Sequence, residues 1–277
     1  MRFRSPVDTA ARAVRRALGL RGPTTINVSA CAAGALAVAE AASLVARGAR
    51  AVVCGGADSM VNPLGIGGMA RLGAPSPRAA PDACRPFDRD RDGLAIGEGA
   101  AMFIVEDLAS ARARGARPLA AITGWGATQD AYRATAPRPD GSAAAAAIAR
   151  ALTRAGLAPE AIGYVNAHGT GTPLNDPAEC CALATVFGAH VAKLPVSSIK
   201  GAIGHLMAAA GAIELAACVL ALTESLLPGT AHLRHRDPAC DVDVIGPSPR
   251  RAYVEHTLSN SFGFGGQNAS VILRRMP

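Results

Sequence analysis

The chain is predicted to be an α/β protein. Apolar runs of three to five residues alternate with alanine-rich stretches of helical length, most helix-like stretches stop at a glycine, and polar clusters fall directly after apolar runs. At 277 residues, 50% hydrophobic and 18% charged, the chain has the length and composition to bury a large core, as one domain or as two half-size units.

The first element is a helix over residues 6–18, with Val7, Ala10, Ala11, Val14 and Leu18 on one face, Pro6 near its start and Gly19 and Gly22 beyond its end. The run Ile26–Val28 reads as a strand leading to Ser29-Ala30-Cys31, and small residues carry the chain from Cys31 into a helix that reaches Ala46 before Gly48. Cys31 then falls at a strand-to-helix turn, where unpaired N–H groups and the helix dipole favour a thiolate. On this stretch alone the competing reading, a small buried hydrophobe, stays open. Ala51–Cys54, followed by Gly55-Gly56, is a second strand and completes a βαβ unit.

From Val61 to about Leu94 the sequence is irregular, rich in glycine and proline, and long enough to be functional. Asp88, Asp90, Asp92 and Gly93 match the first half of a calcium-binding EF-hand loop, but the position of its bidentate glutamate is Gly99, with Glu98 one place early. Calcium is rejected and no metal site is assigned. Gly65-Ile66-Gly67-Gly68 lacks the strand-turn-helix setting of a dinucleotide loop. Ala101–Val105 reads as a buried strand and Leu108–Arg114 as a helix stopped by Gly115.

Composition shifts there, dividing the chain into 1–115 and 116–277. In the second unit the expected elements are a strand at Leu119–Thr123, a helix from Ser142 to Ala155 stopped by Gly156, a strand at Ile162–Asn166 and a third strand starting at Leu194–Ser198. A buried helix from Leu206 to Leu222 follows, and the strands 257–262 and 269–273 close the unit as a hairpin around Gly263-Phe264-Gly265-Gly266.

Charge and cysteine usage narrow the function classes. A net charge of +7 and a pI near 9.4 favour an acidic partner. The basic residues are scattered arginines and aromatics are only 4%, poor material for stacking bases, so a nucleic-acid-binding protein is permitted by charge and disfavoured by every motif. Seven cysteines without a C-x-x-C spacing point to reduced thiols and a cytoplasmic location. The run 206–222 has Glu214 at its centre and reads as a core helix, so no membrane span is assigned. Met1–Arg4 is basic and acid-poor like a transit peptide, but it runs without a break into the first helix pattern.

Two polar clusters lie just past strands of the second unit: Asn166-Ala167-His168-Gly169-Thr170-Gly171-Thr172 and Lys200-Gly201-Ala202-Ile203-Gly204-His205. A lone histidine is most often structural, and His190, His232, His235 and His256 are read that way. His168 and His205 differ in being flanked by glycine, directly or one residue away, and in following an apolar strand.

With these segments and the run Arg85-Pro86-Phe87-Asp88 to Gly97-Glu98-Gly99, the chain resembles the elongating, decarboxylating β-ketoacyl-acyl carrier protein synthases of the thiolase-like superfamily. The likeness runs from about Gly19 to the end. Its Cys-His-His set separates it from starter-unit synthases with Cys-His-Asn, and Phe264 stands where thiolases carry a second cysteine.

The resemblance implies a layered α-β-α-β-α fold and no cofactor. Cys31 would take the acyl chain as a thioester, the N–H groups of Cys31 and Phe264 would form the oxyanion hole, and His168 and His205 would support decarboxylation of a malonyl thioester. Lys200 would pair with Glu214, in a catalytic or purely structural role. Thr170 and Thr172 would bind the pantetheine arm, and Phe264 would gate the acyl pocket. Cys31 would be the cysteine most readily alkylated.

The implied partner is an acyl carrier protein, met by Arg12, Arg15, Arg16 and Arg71, with a homodimer or a heterodimer with a related synthase. The rival within this family is a non-catalytic partner subunit. Each half of the family fold orders its sheet 3-2-1-4-5. By that scheme the run before Cys31 is strand 3, Ala51–Cys54 strand 4 and Ala101–Val105 strand 5, and strands 1 and 2 are missing. A chain of these residues alone is then expected to be insoluble or an inactive oligomer.

Overall fold

The computed structural model describes residues 7–277, so Pro6 and the basic run Met1–Arg4 lie outside the described residues. The elements are α1 (Thr9–Ala17), α2 (Ala33–Ala46), β1 (Ala51–Ser59), α3 (Pro63–Arg71), β2 (Glu98–Glu106), α4 (Leu108–Ala113), β3 (Ala120–Gln129), α5 (Ser142–Ala155) and β4 (Ile162–Asn166). They continue with α6 (Asn175–Phe187), β5 (Pro195–Ser197), the single turn α7 (Lys200–Ile203), α8 (Ala210–Glu224), β6 (Leu226–Leu227), β7 (Asp243–Val244), β8 (Arg250–Arg251), β9 (His256–Gly263) and β10 (Gln267–Arg275).

The main sheet has six strands in the order β3-β10-β9-β4-β5-β7; β3, β10 and β9 pair antiparallel, and β9, β4, β5 and β7 pair parallel. Both faces are covered, and of the two central strands β4 is apolar at Ile162, Tyr164 and Val165 while β9 buries Thr257, Ser259, Asn260 and Ser261. On one side α5 and α6 close a core of Ile148, Leu152, Leu183, Phe187, Val165 and Leu258. On the other lie α2 and α8, whose Val38, Leu215, Cys218 and Leu222 pack with Tyr164 and Val271 of the sheet and with Cys54 of β1. Beyond those helices β1 and β2 form an antiparallel two-stranded ribbon. The fold is α/β and layered as ribbon, helices, sheet, helices.

Local chemistry explains the elements that match the sequence reading. α5 spans Ser142–Ala155 and ends at Gly156 in the left-handed region (φ 65°), the C-terminal stop that glycine supplies without penalty. α8, with its leading turn at Met207–Ala209, is the one described stretch long and apolar enough to cross a membrane, and it is packed between the ribbon and the sheet.

Four readings change. The stretch from Val61 to Leu94 is not irregular throughout, since Pro63–Arg71 forms α3, with Asn62 capping it by accepting the Gly65 N–H at 2.9 Å and Pro63 at its first position. Ile26–Val28 is not a strand: no strand pairs with it among the described residues, and Val28 is 76% exposed. Ala101–Val105 lies in β2 as expected but is covered on one face only, leaving Met102 46% and Ile104 67% exposed. α6 was not anticipated, because its inward face carries Asp176 and Glu179 as well as Leu183 and Phe187, which blurs the apolar period. The aspartates of the EF-hand-like run instead tie the loop down. Asp88 accepts the N–H groups of Arg234 and His235 at 2.7 and 2.8 Å, and Asp92 accepts Arg78 Nε at 2.6 Å.

Candidate active site

Cys31 lies in a 3₁₀ turn, Ala30–Ala32, that opens into α2, and Ala30 holds a left-handed φ of 47°. The β9–β10 turn lies against it backbone to backbone. A Cβ on Gly263 would come within 2.9 Å of the Ser29 carbonyl and 3.1 Å of the Cys31 nitrogen, so only glycine permits the approach. The result is that the backbone N–H groups of Phe264 and Cys31 both interact with the buried sulfur.

The expectation of a stabilised thiolate is corrected by burial. Desolvation pushes the Cys31 thiol up to about 11, outweighing Lys200 and the Phe264 and Cys31 N–H groups, which pull it down. Cys84 is pushed to about 11 and Cys54 to about 12 by the same cause. Ready alkylation of Cys31 no longer follows, since of the seven thiols Cys181 is the exposed one.

His168 is held from below by two carboxylates of α6. Glu179 accepts the N–H groups of His168 and Gly169 at 2.9 and 2.8 Å, and Asp176 accepts those of Thr170 (3.0 Å) and Gly171 (3.2 Å) as well as Phe87 (2.8 Å). Burial pushes Glu179 up to about 7 against these bonds. Both residues were missed in the sequence; the available signal was two acids three apart, a spacing that shares one helix face, with Pro173 and Pro177 marking the helix start around them.

His205 is clamped by the strand-like segment before β2. Its N–H donates to the Ala95 carbonyl at 2.7 Å and its carbonyl accepts from Gly97 at 2.9 Å. Its Nδ1 accepts the Met207 N–H at 3.1 Å. Since Nδ1 is an acceptor, the neutral ring carries its proton on Nε2.

Lys200 fixes the other ring in the same way. Its buried ammonium donates to Glu214 Oε1, to the His168 carbonyl, and at 3.4 Å to His168 Nδ1, so this histidine also presents Nε2–H. The rings meet edge to face with centroids 5.3 Å apart. Burial and the Lys200 charge hold both imidazoles well below their ordinary range, and the neighbouring His205 adds to the effect on His168.

The remaining expected residues border this group. Glu214 is pushed up by burial and pulled back by Lys200, and Ser261 donates to its second oxygen at 3.4 Å. The Thr170 and Thr172 hydroxyls bond each other at 2.9 Å, with Thr172 also accepting the Asn175 N–H. Phe264 packs in an apolar cluster with Met69, Leu94 and Met207. The site thus offers one thiol, two N–H groups beside it and two neutral imidazole donors, with a buried ammonium behind them.

Known proteins share this organisation. The β-ketoacyl synthase N-terminal domain matches residues 5–111 and the C-terminal domain of the same family residues 119–234. A 3-oxoacyl-[acyl-carrier-protein] synthase 2 of Synechocystis is 45% identical over 93% of this chain, and one of Staphylococcus aureus is 39% identical over 97%. The chain spans 63% and 65% of the length of those relatives.

Among solved structures, a type II polyketide ketosynthase in complex with its acyl carrier protein matches with a TM-score of 0.95 at 32% identity, over 98% of this chain and 67% of that one. A ketosynthase in complex with its chain length factor from Xenorhabdus doucetiae matches at 0.86 with 34% identity, over 98% of this chain and 65% of that one. With both domains of one family matched in order and a thiolase-like fold shared over nearly its whole length, the chain belongs to the β-ketoacyl synthase family.

Proposed function

We propose that the protein is the condensing subunit of a 3-oxoacyl-acyl carrier protein synthase, acting in fatty acid or polyketide synthesis. The observation that carries this reading is the pair of neutral imidazoles, each with Nδ1 occupied and Nε2–H free to donate, which feel the same Lys200 charge as the Cys31 thiol. Cys31 attacks the acyl thioester of an acyl carrier protein; a Cys31 thioester forms and the carrier thiol departs with the proton. A malonyl thioester then loses carbon dioxide, and the electron pair of the broken C–C bond passes to its carbonyl oxygen, where His168 and His205 hydrogen-bond the enolate.

The enolate carbon attacks the Cys31 thioester. The N–H groups of Cys31 and Phe264 stabilise the oxyanion that forms, and collapse expels the thiolate, which takes up a proton. Lys200, held by Glu214, keeps His168 in the donating tautomer. Thr170 and Thr172 bind the pantetheine arm and Phe264 gates the acyl pocket.

Residues 1–115 are read as the half that carries the nucleophile and 116–277 as the half that carries the histidines. The exposed Arg12, Arg15, Arg16 and Arg71 suit an acidic carrier. The location is read as cytoplasmic from the seven free thiols. A second copy or a related synthase is the partner proposed for the open face of the ribbon, a choice supported by two structural neighbours having been solved with a chain length factor. That face also favours the rival reading, a partner subunit without catalysis.

Incubation with acyl- and malonyl-carrier thioesters, followed by mass spectrometry and a carbon dioxide assay, tests the choice. A Cys31 acyl adduct with carbon dioxide release is the result expected of the enzyme. Neither is expected of the non-catalytic partner.

A further inference from the structure

We propose that Asp58, on β1, is a positioning residue for His205, acting across the boundary between the two units. This rests on the reading of His205 as an enolate hydrogen-bond donor. Asp58 Oδ2 accepts the Ala208 N–H at 3.0 Å, a contact between residues 150 positions apart. Ala208 follows Met207, whose N–H holds His205 Nδ1 and whose φ of 46° lies in the left-handed region that costs a long side chain energy. Neighbouring contacts must hold such a conformation in place.

The Met207 side chain packs with Met69, Leu94 and Phe264 and the Ala209 N–H bonds the Leu206 carbonyl, while the Ala208 N–H between them is held by Asp58. β1 touches the turn through Gly56, where a Cβ would fall 2.9 Å from the Ala208 carbonyl, so the carboxylate sits directly over the first N–H groups of the α8 entry. Those N–H groups have no carbonyl of their own helix to bond. His205 Nδ1 takes one and Asp58 takes the next. Without Asp58 the Met207 turn is free to relax to a right-handed conformation, the Met207 N–H leaves Nδ1, and the ring no longer has a fixed tautomer.

The role differs from that of the loop carboxylates Asp176 and Glu179, which hold the main chain around His168. Asp58 holds a side-chain tautomer from the other unit, and it touches no reacting atom.

The test uses the full chain labelled with ¹⁵N-histidine, the His205 resonances being assigned with His205→Asn. Wild type is expected to show His205 with Nδ1 bare and Nε2 protonated; Asp58→Ala is expected to show averaged nitrogens, and Asp58→Asn, which keeps an acceptor oxygen, the wild-type pattern. With a malonyl-pantetheine thioester as probe, Asp58→Ala is expected to slow decarboxylation about tenfold while acylation of Cys31 by an acyl-pantetheine thioester stays within twofold.

An unchanged His205 spectrum in Asp58→Ala overturns the proposal. So does an equal loss of both partial reactions, which would mark a merely structural contact. If wild type releases no carbon dioxide, the proposed function fails, while the nitrogen spectrum still decides the role of Asp58.

Discussion

In the six-stranded sheet Tyr164, Val165 and Leu258 are fully buried between helices on both faces, whereas in the β1–β2 ribbon Met102 and Ile104 stand 46% and 67% exposed. The two proposed histidines are held from different layers, His168 by the six-stranded sheet and α6, and His205 by the segment before β2 as well as by the start of α8. His168 hangs from α6 by four N–H to carboxylate bonds in its loop, and His205 leads into the buried helix α8. Cys31 sits in a turn packed against the β9–β10 turn and the start of α8. The contrast teaches that the sheet-held His168 and the ribbon-held His205 are secured by different means, so damage to each layer should read out differently.

Cys31→Ala sharpens the contrast most. It is expected to abolish acyl transfer and condensation, with a carbon dioxide assay still detecting malonyl turnover by the intact histidines; loss of that turnover as well would show that the halves do not act separately. Lys200→Ala comes next. It strips a buried partner from Glu214, and a denaturant titration should find about 3–5 kcal/mol lost, the usual cost of leaving one charge of a buried pair uncompensated.

Glu179→Gln puts an N–H₂ group against main-chain donors and is expected to cost about 1–3 kcal/mol, with the His168 signals moving in an NMR spectrum and those of the ribbon staying in place. A paired core and surface substitution can break the comparison outright. Leu222→Ala, fully buried, should lose about 2–5 kcal/mol, and Ile104→Ser on the open face within about 0.5 kcal/mol. An equally large effect at Ile104, together with a larger particle in sedimentation, would mean that the face is covered in solution by a partner.

The smallest effect concerns pH. Because burial and Lys200 depress both imidazoles, protonation sets in only well below 6.5, so malonyl decarboxylation should stay flat from pH 8 to 6.5 instead of being half lost at 6.5. A midpoint near 6.5 in that profile would contradict the assigned tautomers.

How much of this was legible in the sequence follows the same division. The bounds of α5 and β4 could be read because glycine punctuation and two-sided burial leave plain marks in composition. Cys31, His168, Lys200 and His205 are grouped only by the resemblance of their segments to the β-ketoacyl synthases, since composition and spacing mark each loop but not the set. α6 could not be read, because its task is to bury carboxylates under a loop, which contradicts the apolar period of an ordinary core helix. Nor could the state of the Cys31 thiol be read: a position at a helix start argues for a lowered pKa, and only three dimensions show that desolvation outweighs it. The extended reading of Ile26–Val28 rested on propensity, and a strand also needs a neighbour.

The contact of Gly263 with the Cys31 turn makes the anion pocket a property of the assembled chain. Its two N–H donors come from opposite ends of the sequence, so neither half contains the pocket by itself, however much secondary structure it forms. Loosening the two units from each other would erase the pocket while helices and strands persist. The proposed acylation of Cys31 would therefore be a finer gauge of complete folding than circular dichroism, and separately expressed halves would regain it only on recombination.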